Sequence, residues 1–158
     1  MPQAHDHFRM LLVTVVGGAF SAAGYALEES PTAWSGGLFR FGTQFTDGPH
    51  TGLYGFIEFM YLYYSEGRPA RFNCTLIRTD HEVPTVPTRH PAAARRDLSA
   101  LVVLDFGVAI LPNPAYWWHV TGTEATGRAL GEAGSLAIGY GMPWLNGSLL
   151  VPGHDPDA

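Results

Sequence analysis

Residues 53–64, LYGFIEFMYLYY, place six aromatic side chains and one charge, Glu58, in twelve consecutive positions. Such a run cannot remain in water: at roughly 25 cal/mol per Å² of apolar surface, its burial supplies much of the folding drive of a small domain. It has to lie at the centre of the structure, and the single carboxylate inside it needs a partner or a purpose. The rest of the chain is organised around this segment.

The surroundings are those of a globular protein. With 158 residues, 46% hydrophobic and 13% aromatic, the chain is long enough for one core without metal or disulfide staples. Its single cysteine, Cys74, excludes an intramolecular disulfide and any multi-cysteine zinc site. All nine basic residues are arginine, and fourteen acids against them leave a net charge of −5. That balance argues against a nucleic-acid-binding surface. Four arginines fall in 78–96, yet Asp80, Glu82 and Asp97 leave that segment nearly neutral, so it forms no basic patch.

Residues 10–27, MLLVTVVGGAFSAAGYAL, carry no charge and admit three readings. A signal peptide would use Arg9 and a cleavage site near Ala23, but Asp6 flanks it and its strongly apolar part is short. A membrane span is weakened by Gly17, Gly18, Ser21 and Gly24. A core helix accounts best for the spacing, because Phe8, Leu12, Val15, Ala19, Ala22 and Ala26 share one face. The expected location is therefore the cytoplasm, with secretion as the alternative and no membrane.

Downstream, Glu28–Pro31 breaks the helix and Ser35-Gly36-Gly37 forms a turn. Phe39, Phe41 and Phe45 then alternate with Arg40 and Gln44, predicting a strand with one wet face. Asp47-Gly48-Pro49 ends it. Residues 53–64 and 70–79 predict an antiparallel hairpin around a 65–69 loop, its first arm central and covered on both faces. In the second arm Phe72, Cys74 and Leu76 alternate with Arg71, Asn73 and Thr75. Pro84, Pro87 and Pro91 mark a loop over 80–97 with a helical turn at 92–96. Residues 100–111 predict a buried strand, or a helix entering from residue 92. A second helix starts near Thr121, whose spacing to Glu124 suits a capping box. It buries Ala125, Ala129, Ala133, Leu136 and Tyr140 and stops at Gly141 before Pro143. The sum is a single α+β domain over 1–152, an antiparallel sheet of four or five strands with the two helices on one face, and a frayed 153–158 tail.

The order of elements, with GGAFSAAGY early and YGMPWL at 140–145, resembles bacterial domains of unknown function in which a terminal helix ending in Gly-hydrophobic-Pro-Trp-Leu packs beside an antiparallel sheet. Gly24-Tyr25 and the strand from Arg71-Phe72 are similar to the corresponding parts of those domains, over about residues 8–146. The resemblance implies a setting among polymorphic-toxin and defence proteins and brings no catalytic residues.

Glu58 and Asp105 are the acids within the two most apolar segments. As neighbours they would form an acid/base pair with one raised pKa; otherwise each sits at a strand end or pairs with Arg40 or Arg71. The latter is favoured, because no nucleophile or metal set accompanies them. His5 and His7, His81, His90 and His119 show no ligand spacing, so no metal or cofactor is expected. Cys74 reads as a small core residue. Ser135 lies outside any nucleophile elbow, and Gly139-Tyr140-Gly141 lacks the lysine of a phosphate loop. Tyr116, Trp117, Trp118, His119 and Trp144 are the candidate binding residues, although the aromatics would serve equally to plug one end of the sheet.

The leading expectation is a non-catalytic binding protein, immunity- or defence-like, recognising a protein partner. The alternatives are a small enzyme or ligand-binding domain with a pocket around Glu58, Asp105 and the tryptophans, and a homo-oligomer burying an apolar sheet face.

Overall fold

Alternation along 38–79 becomes the centre of an antiparallel sheet in the computed structural model, which describes residues 2–28, 37–64 and 70–152. Among the described residues the strands are β1 (Ala26–Leu27), β2 (Leu38–Gln44), β3 (Tyr54–Leu62), β4 (Ala70–Thr79), β5 (Ala94–Asp97) and β6 (Trp118–Val120). They are ordered β1-β2-β3-β4-β5, with β6 also on β4. The expected hairpin is β3–β4, in register from Tyr54 opposite Thr79 to Leu62 opposite Arg71. The aromatic run is therefore the middle strand. The expected turns at 29–36 and 65–69 and the tail at 153–158 lie outside the described residues.

Three helical stretches are described: α1 (Pro2–Leu12, Val13–Gly17, Gly18–Ala22), α2 (Leu98–Ala100, Leu101–Asp105) and α3 (Thr123–Leu136, Ala137–Gly141, Met142–Asn146). In each, the stretch of five residues given as Val13–Gly17, Leu101–Asp105 or Ala137–Gly141 is a π-helical turn. Strand parity sends Phe39, Phe41, Ile57, Phe59, Tyr61, Phe72 and Leu76 toward these helices, where all are buried. Phe8 stacks on Tyr61 at 4.3 Å between centroids, Phe20 meets Phe41 edge-on at 4.9 Å, and Phe72 stacks on Trp118 at 5.2 Å. Each such pair adds about 0.5–1.5 kcal/mol beyond its buried area.

The π-turn in α1 explains where that helix's face departs from expectation. An i→i+5 turn takes one residue more than an α-turn and rotates everything beyond it. In α1 the most deeply buried residues are Phe8, Leu12, Val16 and Phe20, successive fours, with Leu11 buried beside them, while Val15 is 38% exposed and Ala19 and Ala22 face outward. In α3, Ala133 and Leu136 are buried as expected, while ahead of its π-turn Thr126 and Leu130 take the core positions and Ala125 and Ala129 are only partly covered.

Helix bounds also differ. Pairing of β6 with β4 keeps the chain extended through Val120, so α3 starts at Thr123 after Gly122, without the capping box at Thr121. Its π-turn at Ala137–Gly141 widens the helix where Pro143 would otherwise face the carbonyl of Gly139. The helix consequently runs past Gly141 to Asn146, and Gly147, at φ 86°, ends it.

The expected strand at 100–111 is instead α2 followed by turns, and the expected helical turn at 92–96 is largely β5. β5 and β6 divide the free edge of β4 between them, which leaves no edge there for a long strand. Leu98, Leu101 and Val102 are buried at helical spacing, and Leu104 is left 59% exposed.

The contact of α1 with α3 depends on a missing side chain. A Cβ on Gly134 would lie 2.7 Å from Cγ1 of Val16, a buried residue with a stiff χ1. Gly134→Ala should lower stability by about 1–3 kcal/mol despite alanine's better helix propensity. Urea unfolding checks this, and the double variant with Val16→Ala should lose less than the sum of the single losses.

Candidate functional site

Glu58 lies on the sheet face turned away from the helices, in a cross-strand row of Arg40, Glu58, Thr75 and Asp97. Arg40 Nε donates to Glu58 Oε2 at 2.6 Å and Arg40 Nη1 to Glu28 Oε2 at 3.2 Å. Arg95 Nη2 stands 3.9 Å from the other Glu58 oxygen. Arg40 and Glu58 are 7% and 6% exposed, so the strand expected to have a wet face is dry at Arg40. Pro84 and Thr85 of the Pro-rich loop close over this row, leaving a cavity of about 80 Å³. That volume suits water and no sizeable substrate.

Asp105 is elsewhere. At the end of α2 it accepts two hydrogen bonds from Arg96, from Nε at 2.9 Å and Nη2 at 2.7 Å. Arg96 pairs with Leu76 in register and therefore belongs to the helix-side face. Glu58 and Asp105 sit on opposite sides of the sheet, each held by its own arginine, and form no acid/base pair.

The aromatic candidates also separate. Trp118 is buried against Phe72, and its Nε1 donates to Glu132 at 2.8 Å. Tyr116 meets it edge-on at 5.1 Å. Trp117 covers the Arg71 guanidinium at 4.5 Å on the opposite face, and His119 is exposed. Trp144 belongs to neither group; it packs against Arg78 at the end of α3.

No grouping of three or more His, Cys, Asp or Glu side chains among the described residues could hold a metal ion. Ser135 is exposed on α3. Cys74 is buried in the helix-side core, across the sheet from the Glu58 row, and burial, with Asp97 and Glu58 nearby, pushes its thiol far above the usual range. The thiolate is the reactive form. At pH 8 Cys74 should resist a maleimide in the native protein and react fully in urea, as mass spectrometry would show; rapid native labelling would contradict this placement.

The most open chemistry surrounds Arg78, at the end of β4. Continuing the parity of Phe72, Cys74 and Leu76 puts this arginine on the core side, and that was the sequence signal for it. Nε donates to the Ala92 carbonyl at 2.7 Å, and Nη1 to the carbonyls of Trp144 at 2.8 Å and Leu145 at 3.2 Å. The guanidinium thereby bonds two carbonyls in the last turn of α3, sharing that of Trp144 with the N–H of Gly147. Its carbon lies 4.8 Å from the Trp144 ring centroid. Burial lowers its pKa. Among the described residues no carboxylate forms a salt bridge with Arg78, and no acceptor is within hydrogen-bonding range of Nη2.

Arg78 and Trp144 line a cleft of about 580 Å³ together with His50, Pro91, Asp105, Gly147 and Leu149–Val151. The cleft falls within the size range of small-molecule sites. The His50 imidazole is held below its ordinary pKa by burial and by the charges of Arg78 and His90. No helix among the described residues is long and apolar enough to cross a membrane. Comparison with protein-family models, curated proteins and solved structures finds no match.

Proposed function

We propose that this chain is a non-catalytic binding domain whose ligand site is the Arg78–Trp144 cleft. The observation that carries this reading is Arg78, lining a cleft of about 580 Å³, its half-buried guanidinium fixed by three backbone carbonyls and its second terminal nitrogen uncommitted among the described residues. A preorganised charged donor in a concave, largely apolar setting is what a small-molecule site requires. An acid/base enzyme has less support, since Glu58 and Asp105 are both committed to arginines. A homo-oligomer built on the second sheet face has less support, because among the described residues Leu38, Phe56 and Ile77 of that face are already buried. The cytoplasmic, defence-associated setting implied by the sequence resemblance remains part of the proposal. Trp144 and Leu145 end the GMPWL motif on which that resemblance turns, and their carbonyls hold Arg78.

A fragment library screened against the full chain by amide and indole NMR tests the reading. Binders should shift the Trp144 indole and the backbone of His50 and Arg78. Shifts that cluster on another surface, or no binders at millimolar concentration, would overturn it.

A further inference from the structure

We propose that the cleft takes an amphipathic organic monoanion, with one carboxylate on Arg78 Nη2 and an apolar body lying along Trp144 and Leu149–Val151. This deepens the binding-domain reading and rests on it.

The donor count sets the head group. Three of the five guanidinium N–H groups already reach Ala92, Trp144 and Leu145. Every two-nitrogen fork is thereby occupied on one side, and only the two Nη2 protons remain. Nearby, Arg96 and Asp105 neutralise one another through their paired hydrogen bonds. The imidazole of His50 is kept neutral by its surroundings, so it can offer a hydrogen bond without adding a charge. The site thus compensates about one negative charge. A phosphate dianion would leave its second charge near the Asp105 carboxylate with no cation to meet it.

The walls set the body. Pro91, Leu149, Leu150 and Val151 are apolar, Leu150 is 54% exposed at the rim, and Trp144 presents an aromatic surface beside the cation. A small, strongly hydrated anion gains nothing from such walls, whereas an alkyl or aryl chain buries area against them. The chain carries −5 overall, so long-range attraction does not draw anions in, and selection has to come from these contacts.

Calorimetric titration of the full chain with 4-phenylbutyrate, its neutral amide and inorganic phosphate tests the inference. The acid should bind, with the amide and phosphate each at least about tenfold weaker, the usual cost of losing one charge-assisted hydrogen bond. Binding of the acid, and not of the amide, should raise the His50 pKa, because an adjacent negative charge favours the imidazolium. Since Arg78 also braces α3, a second variant is needed: Leu150→Glu places a carboxylate at an exposed rim position and should weaken the acid about tenfold or more while sparing the amide. If the amide or phosphate matches the acid, or Leu150→Glu leaves the acid unaffected, the monoanion class is wrong and the cleft remains a binding site. If none of the three binds at millimolar concentration, the binding reading falls with it.

Discussion

Glu58→Ala is expected to destabilise the protein by about 3–5 kcal/mol, the cost of leaving a buried ion without its partner. Arg40 would keep its charge at 7% exposure, and among the described residues its other carboxylate contact is Glu28, at 3.2 Å with a side chain 36% exposed. That bond can follow the guanidinium only partway, so the loss should fall toward the lower end of the range. Glu58→Gln, which retains an acceptor for Arg40 Nε, should lose less. Replacing both partners, as Arg40→Met with Glu58→Leu, removes the two desolvated charges together and should recover most of the stability or exceed it. Urea unfolding of the four proteins separates these cases. A loss below about 1 kcal/mol for Glu58→Ala would mean that the pair behaves as a solvent-screened one and that the Pro84–Thr85 cover is not closed in solution. Ligand binding in the Arg78 cleft should be unchanged in every folded variant, because the Glu58 row lies across the sheet from Asp105 and Arg96.

The sheet was legible because strand pairing enforces parity. Once Phe39 and Phe41 face the helices, Arg40 must face the other way, and register then places it opposite Glu58. Helix faces were less legible, since a period of 3.6 assumes that no π-turn intervenes. One such turn exchanged Val15 for Val16 and replaced Ala19 by Phe20 in the core. The spacing Phe8, Leu12, Val16, Phe20 is visible in the sequence, but strict fours read as a helix only if a wider turn is admitted. Residues 100–105 were ambiguous for a different reason: an apolar run fits a buried strand or a buried helix, and the occupied edge of β4 decided it. The candidate site was the least readable part. Its residues come from five separate segments: Trp144 and Asp105 were sequence candidates assigned to other groupings, and Arg78 was missed although a cation on the core parity of a strand is a local signal.

Arg78→Ala should cost about 2–4 kcal/mol, because the carbonyls of Ala92 and Leu145 lose their charged donor, that of Trp144 is left with only the Gly147 N–H, and buried polar groups without partners carry a desolvation penalty. The defect should be local before it is global. Arg78 ties the end of β4 to the Pro-rich loop and to the last turn of α3, so the amides of Gly147 and Leu149, which bond to Trp144 and Pro143, should exchange faster than those of β3. Arg78→Lys separates charge from geometry. A lysine keeps a cation near the C-terminal end of α3, favourable to the helix dipole by about 0.3–1 kcal/mol, but its single ammonium cannot reproduce the planar set of bonds to two segments. It should therefore recover only part of the loss. Equal stability of Arg78→Ala and wild type in urea, with unchanged exchange at Gly147 and Leu149, would show that the guanidinium is not a brace. A full rescue by lysine would show that charge alone holds the helix end, and that the fixed guanidinium plane is not what the fold maintains.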